Sequence, residues 1–444
     1  MGKSYLVRTW GQERFDAVVE LNFERDPQLA DMFSGNDPAG TIRRLEAYTG
    51  RRLPSDGRAL LFLDEIQAAP AVLARLRWFA EETPSLPIVA AGSLLDFVLA
   101  DPAHGVPVGR IGYMHLEPMG FGEFLLALGE QPLVEFLARD LTLASIAAPE
   151  AIPAALHLKL LDLFRHYLLV GGMPAAVERY RLDRSLLLVA EQHANLLATF
   201  RDDFAKYSNR VHHRRLSAVL DAVPRQLGAR LKYSLIDREE RAAALSQAVD
   251  LLALARVCHK VRATTAEGVP LAAGADDRAY KLIHLDIGLA SSALGVSLRD
   301  IEALRDLSLA NEGAVAEQIV GQLLRLGFPA HQEPSLYYWY RDQRGAQAEV
   351  DYVIQHGPSV VPVEVKAGAT GSLKSLHVLM AKRGWKTAVR FNADFPSVTA
   401  VSAGTTTGER ANYRLLSLPL YLVEQVHRLL DELPSLEETP HRRK

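Results

Sequence analysis

The chain has 444 residues, which is enough for two to four domains that each bury a core. A hydrophobic content of 48% and a net charge of −3 are those of an ordinary globular protein, so the overall charge identifies no partner. The single cysteine, Cys258, excludes an internal disulfide. With no signal peptide and no apolar run of about 20 residues, we expect a cytoplasmic protein without a membrane-spanning helix.

The first residues predict a helix that follows a phosphate-binding loop. Gly2, Lys3 and Ser4 match the last three positions of the Walker A motif G-x-x-x-x-G-K-[ST], and the helix continues through residues 5–7. The first glycine of the motif and the strand before it are not in the sequence. We therefore expect that the sequence begins inside the loop, after a start codon assigned too late, and that nucleotide binding by this chain is impaired. The alternative is a chance tripeptide at a polar terminus.

Strand patterns then alternate with helical ones. Residues 16–23, 60–64 and 88–91 are strand-like, whereas residues 70–82 place apolar side chains at a helical period. This alternation predicts a parallel sheet in an α/β domain.

Acidic residues follow the second of these strands. Four apolar residues lead into Asp64 and Glu65, which is the Walker B pattern. In that interpretation Asp64 holds Mg²⁺ through water and Glu65 polarises the attacking water. Ser93, after the next strand, is placed to contact the γ-phosphate or its water. The alternative is a strand end followed by a helix cap, which requires no nucleotide.

The middle of the chain carries a local basic cluster. Between Arg201 and Lys232 basic residues outnumber acidic ones, which indicates phosphate contact in a protein of nearly neutral charge. Helices followed by a strand at residues 279–288 are compatible with a winged helix. Solvated helix faces, or contacts with acidic parts of the same protein, explain the cluster equally well.

Two late strands predict a second site. Asp351 and Glu364 lie in consecutive strands, and Lys366 shares a face with Glu364. Two carboxylates in strand interiors are able to ligate a hard cation such as Mg²⁺, with Glu317 on the preceding helix as a further ligand. With a helix at residues 371–383, this order resembles the PD-(D/E)XK nuclease fold. The alternative is an ion pair between Glu364 and Lys366.

Several segments together resemble bacterial and archaeal AAA-plus-type ATPases fused to a C-terminal domain of unknown function. The segments that carry the resemblance are GKSYLVR, VELNFERDP, LFLDEIQ, AAGS, Gly109-Arg110, LEPMGFGEFL, HYLLVGGMPAAV, FRDDFAKY and KLIHLDIGLA. The resemblance implies a P-loop ATPase core (1–127), a helical lid (128–205), a winged-helix-like module (206–295), a nuclease-like domain (296–425) and a tail (426–444). It makes Lys3 and Ser4 phosphate and Mg²⁺ ligands, and Arg110 a contact to nucleotide within or between subunits.

We therefore expect an α/β protein that binds ATP and Mg²⁺ and associates with nucleic acid, most simply DNA. ATP hydrolysis would drive rearrangement of the attached domains, and related ATPases make a homo-oligomer an open alternative to a monomer. Two other functions stay open. One is a metal-dependent DNA endonuclease regulated by the ATPase. The other is a non-catalytic, ATP-gated binding module in which Asp351, Glu364 and Lys366 are relics.

Overall fold

The computed structural model describes residues 2–54, 56–93, 95–99, 109–148, 152–203, 213–295, 312–343, 346–367, 372–405 and 408–433. The chain divides into two compact units. The N-terminal unit comprises Met1–Leu116 with Ala330–Gln332, and the C-terminal unit comprises Glu117–Pro329 with Glu333–Lys444.

The N-terminal unit is built on a parallel sheet with strand order β1-β2-β3. This confirms the α/β expectation for this part of the chain. Its strands are β1 (Ala17–Asn22), β2 (Ala59–Asp64) and β3 (Ile88–Ala91). Its helices are α1 (Lys3–Arg14), α2 (Pro38–Thr49), α3 (Pro70–Glu82) and α4 (Leu95–Leu99).

Local sequence explains where these elements begin and end. All six residues of β2 are buried, as its continuous apolar run predicts for a central parallel strand. At the start of α2, Asp37 accepts a hydrogen bond from the Gly40 amide at 2.8 Å, and Pro38 occupies the first turn. The helix ends at Gly50, whose φ of 66° suits a residue without a Cβ.

The C-terminal unit contains one mixed sheet of eight strands in the order β10-β11-β9-β8-β7-β6-β4-β5. Its strands are β4 (Cys258–Thr264), β5 (Ala275–His284), β6 (Leu336–Gln343), β7 (Ala346–His356), β8 (Ser359–Val365), β9 (Thr387–Asn392), β10 (Ser397–Gly404) and β11 (Arg410–Pro419). Pairs β4–β6, β8–β9 and β9–β11 are parallel, and the other neighbours are antiparallel.

Helices precede this sheet in the chain and are interspersed with its strands. They are α5 (Phe121–Ala127), α6 (Gln131–Glu135), α7 (Leu143–Ile146), α8 (Ala154–Val170), α9 (Pro174–Asp183), α10 (Leu186–Asp203), α11 (His213–Ala222), α12 (Ala242–Leu254), α13 (Ile287–Ala293), α14 (Glu312–Arg325), α15 (Lys374–Arg383) and α16 (Val426–Asp431). Within the residues described, no helix combines the length and apolar character needed to cross a membrane.

The strands expected in a winged-helix-like module belong to this same sheet. β4 pairs with β5 as a hairpin and also pairs in parallel with β6, through Val261 and Leu336. The boundary expected between residues 205 and 206 lies outside the described residues, as does residue 296 at the boundary expected after residue 295. The β4–β6 pairing joins residues 75 positions apart, such as Val261 and Leu336, so no local sequence pattern predicts it.

The aromatic strand β6 serves mainly the core. Tyr337 and Trp339 are buried in a cluster with Val350 and with Leu376 and Leu379 of α15. The side chain between them, that of Tyr338, points to the other face, as strand alternation requires. Packing of this face of β6 against α15 therefore accounts for Tyr337 and Trp339.

Candidate functional site

The first candidate site is assembled where α1 begins. Gly2 precedes the helix with a φ of 76°, and its carbonyl accepts a hydrogen bond from the Leu6 amide at 2.9 Å. Ser4 therefore lies in the first turn, and its hydroxyl donates a hydrogen bond of 2.8 Å to Oδ1 of Asp64 at the end of β2. Two predicted residues that are sixty positions apart thus meet at the carboxyl edge of the sheet.

Further polar side chains surround the Asp64 carboxylate, which is buried. Asn22 donates a hydrogen bond to its Oδ2 at 3.1 Å, and Arg8 lies 3.7 Å from the same oxygen while pairing with Glu20 at 2.6 Å. Sequence reasoning missed Asn22 and Arg8. The signal for Asn22 was available, because it ends β1 in direct register with Asp64 and parallel strands align their carboxyl ends.

Glu65 adopts a left-handed backbone conformation with a φ of 52° immediately after β2. The amide of Gln67 donates hydrogen bonds to the Glu65 carboxylate and, at 3.5 Å, to the Ser93 hydroxyl that follows β3. Within the described residues the Gln67 carbonyl oxygen is buried without a hydrogen-bond partner. Gln67, which the sequence analysis did not single out, therefore links both predicted residues and leaves one acceptor for a further donor.

Two more predicted residues lie near the ends of helices. Lys3 is the first residue of α1 and is half-buried. Arg110 lies 3.3 Å from Glu81 at the end of α3, and its side chain is 48% exposed. The structure thus pairs Arg110 with Glu81 of α3 and does not place it among the side chains around Asp64.

The side chains at this edge fit a nucleotide with Mg²⁺. A serine hydroxyl and a buried carboxylate are hard oxygen ligands of the kind that Mg²⁺ prefers, and they are already 2.8 Å apart. The first turn of α1 presents amide groups of the kind that bind phosphates at helix N-termini. Ser4 and Asp64 are the residues that would hold the metal, whose charge would offset that of the phosphates.

The second candidate site lies on the eight-stranded sheet, and β7 carries a bulge there. Tyr337 pairs with Val353 and Trp339 with Val350, so Asp351 and Tyr352 together oppose a single residue of β6. A bulge of this kind re-aims the side chains of the bulged strand. The Asp351 carboxylate accepts a hydrogen bond of 2.7 Å from the Val365 amide of β8.

Glu364 and Lys366 form the ion pair that was the alternative to a metal site. The ammonium of Lys366 lies 2.6 Å from Oε1 of Glu364, whose side chain is buried. In the described part of the chain, Oε2 of Glu364 is buried without a hydrogen-bond partner. Asp351 and Glu364 lie on the paired strands β7 and β8. Burial raises the pKa of Glu364, and the negative charge of Asp351 raises it further, which is consistent with the expected proximity of the two carboxylates.

A second lysine of this site, Lys281, is buried, and sequence reasoning missed it. The ammonium of Lys281 on β5 lies 3.0 Å from Glu317 on α14 and 2.6 Å from Glu349 on β7. It also lies 5.2 Å from the centre of the Tyr338 ring. The sequence could have indicated Glu349, because it lies two residues before Asp351 in the same strand and residues two apart share one face of a sheet.

Burial governs the acidity of these groups. It raises the pKa of Glu317 to about 8, with the negative charge of Asp351 adding to the effect. It likewise raises the pKa of Glu364 to about 7, and the pKa of Asp351 rises for the same reason. Burial alone would lower the pKa of Lys281, but the charges of Glu317 and Glu349 outweigh it, so that pKa lies above its ordinary value.

These side chains do not fit a divalent cation. Among the residues that the structure describes, no group of three or more histidine, cysteine, aspartate or glutamate side chains is arranged to hold a metal ion. The predicted ligands Glu317, Asp351 and Glu364 instead face the Lys281 ammonium, the Val365 amide and the Lys366 ammonium, respectively.

The basic segment is largely neutralised by acidic partners. Arg201 pairs with Asp221 at 2.8 Å, and Arg215 with Glu240 at 3.0 Å. Two longer contacts join Arg214 to Asp237 at 3.8 Å and Arg230 to Asp342 at 3.7 Å. Arg225 and Lys232 are exposed, whereas the predicted contributors Lys206, Arg210 and His212 lie outside the described residues.

Comparison with known families divides the chain into three parts. Residues 1–125 match a model of an AAA domain, residues 161–300 match a domain of unknown function (DUF8612), and residues 312–421 match another domain of unknown function (DUF4143). No curated protein and no solved structure matches the chain. The first match, together with the parallel sheet, supports an AAA-type P-loop ATPase as the class of the N-terminal part, whereas the other two matches carry no assigned activity.

Proposed function

We propose that the protein is an AAA-type ATPase that hydrolyses ATP with Mg²⁺ at the carboxyl edge of the N-terminal sheet. The observation that carries the proposal is the 2.8 Å hydrogen bond between the Ser4 hydroxyl and the Asp64 carboxylate. It joins the end of a glycine-lysine-serine sequence to the end of a buried strand, which is the arrangement that a nucleotide-bound Mg²⁺ requires.

Each side chain at this edge has a distinct role in the proposal. Asp64, held by Asn22 and close to Arg8, orients the metal's water ligands. Glu65 accepts a proton from, or polarises, the water that attacks the γ-phosphate. Because Gln67 contacts both Glu65 and Ser93, loss of the γ-phosphate next to Ser93 would change how the Glu65 carboxylate is held.

The test is ATP turnover by the purified protein. Glu65→Gln keeps the side-chain shape but removes the carboxylate, so we expect turnover to fall by about 10²–10⁴-fold with little change in ATP affinity. Glu82→Gln, at the exposed end of α3, is the matched control and should turn over normally. Undiminished turnover by Glu65→Gln would show that the carboxylate has another role.

Association with nucleic acid is a further part of the proposal. Exposed Arg225 and Lys232 support it, since the other described arginines of the segment have acidic partners. ATP hydrolysis would then act by rearranging the attached domains. Assembly as a homo-oligomer would let the half-exposed Arg110 reach the nucleotide of a neighbouring subunit. Among the described residues, no contact of the second site favours the alternative of a metal-dependent endonuclease.

A further inference from the structure

The carboxylate cluster of the C-terminal sheet consists of Glu317, Glu349, Asp351 and Glu364. We propose that the ammonium group of Lys281 is a built-in replacement for a divalent cation in this cluster, so that the site works as a metal-free binding element and not as a metal-dependent nuclease centre. This inference concerns the C-terminal unit and does not depend on ATP hydrolysis.

Distance is the first argument. The Lys281 nitrogen lies 3.0 Å from one carboxylate and 2.6 Å from another, and these carboxylates come from a helix and a different strand. A cation that gathers oxygen ligands from separate elements is the usual role of a bound Mg²⁺ or Mn²⁺. Because like charges repel in a buried setting, a divalent ion that bound the same oxygens would have to overcome the charge of the ammonium already in contact with them.

Burial is the second argument. The Lys281 side chain is only 4% exposed, so moving its charged end into water would require the side chain to leave the sheet. Tyr338 covers it, with the ring centre 5.2 Å from the nitrogen. A buried ammonium is stable only where carboxylates compensate its charge, so lysine and cluster hold each other in place.

The remaining carboxylates supply the third argument. Asp351 accepts a hydrogen bond from the Val365 amide, and Glu364 pairs with Lys366 at 2.6 Å. Among the described side chains of the cluster, one buried oxygen has no hydrogen-bond partner, Oε2 of Glu364. A single buried acceptor suits a hydrogen-bond donor of a bound molecule better than a cation that needs several oxygens.

The test is a titration of the full chain with Mn²⁺ in the absence of nucleotide. The electron paramagnetic resonance signal of free Mn²⁺ reports how much of the ion is bound. All proteins carry Asp64→Asn, so that the N-terminal site does not contribute. We expect no saturable binding in this background. Adding Lys281→Met, which keeps most of the side-chain volume, should create one Mn²⁺ site that is at least about tenfold tighter than any binding by the Asp64→Asn protein. Adding Asp351→Asn to this variant should abolish that site.

Two results would overturn the inference. One is Mn²⁺ binding by the Asp64→Asn protein that disappears with Asp351→Asn, because the cluster would then accept a metal despite Lys281. The other is a folded Lys281→Met variant that gains no Mn²⁺. If Lys281→Met does not fold, two measurements still test the inference. One is the comparison of the Asp64→Asn protein with and without Asp351→Asn. The other is Lys281→Arg, which should fold and bind no Mn²⁺.

Discussion

Replacing Glu317 by glutamine tests how the buried carboxylates control stability. The pKa of Glu317 is raised from 4.5 to about 8, chiefly because the side chain is buried. A carboxyl group whose pKa is higher in the folded state binds more protons when folded. The free energy of unfolding must therefore fall as the pH rises from about 4.5 to about 8.

The size of the effect follows from the same values. One pKa unit corresponds to about 1.4 kcal/mol, so the change from 4.5 to about 8 sets an upper limit on the order of 5 kcal/mol. The charges of Asp351 and Lys281 also act on the Glu317 carboxyl, and groups that interact in this way titrate together. Between pH 5 and pH 8 the free energy of unfolding of the wild type falls. We expect this fall to be smaller by a few kcal/mol in Glu317→Gln.

The assay is urea unfolding followed by tryptophan fluorescence at a series of pH values. The chain has four tryptophans, and replacing Trp10 and Trp78 by phenylalanine leaves Trp339 and Trp385 as reporters of the C-terminal unit. Glu239→Gln, at an exposed position, is the matched control and should leave the pH dependence unchanged. A wild-type stability that rises over this pH range, or a Glu317→Gln profile no flatter than the control, would refute the reasoning.

Three other changes give measurable outcomes. Ser4→Ala should weaken binding of Mg²⁺-ATP by about tenfold but leave binding measured in EDTA nearly unchanged, because only the metal loses a ligand; calorimetry with a non-hydrolysable analogue checks this. Arg325→Met should lower the free energy of unfolding by about 1.5–3 kcal/mol, because Glu117 loses its bidentate contacts of 2.9 and 2.8 Å and keeps only the longer contact of 3.8 Å with Arg256. Arg225→Glu with Lys232→Glu should weaken DNA binding and reduce the slope of log affinity against log salt by about 2, as measured by fluorescence anisotropy.

Each of these changes has a control in the same unit. Thr9→Val alters the same helix as Ser4 but should leave Mg²⁺-ATP affinity unchanged. Arg165→Met removes an exposed arginine from α8 and should shift stability by less than about 0.5 kcal/mol. For DNA, Arg165→Glu changes charge outside the basic segment. Equal losses in a variant and its control would contradict the specific role assigned to the residue.

The sequence by itself determined the elements of the N-terminal site. A continuous apolar run fixed β2 as a buried strand, and the acidic residues at its end had to lie at the carboxyl edge of the sheet. Helix signals likewise placed Ser4 in the first turn of α1. These inferences succeeded because each depends on neighbours within one turn or one strand, where periodicity and backbone chemistry act directly.

Only the tertiary structure decided what surrounds the acidic residues. Lys281 reaches Glu317 and Glu349 because β5 and β4 extend the same sheet as β7, a pairing between distant strands that leaves no local trace. Gln67 bridges Glu65 and Ser93 for a comparable reason, since the ends of β2 and β3 are adjacent only once the strands pair. Register, sheet order and a bulge bring distant charges together, and in the C-terminal unit they place a lysine where the sequence had suggested a metal ion.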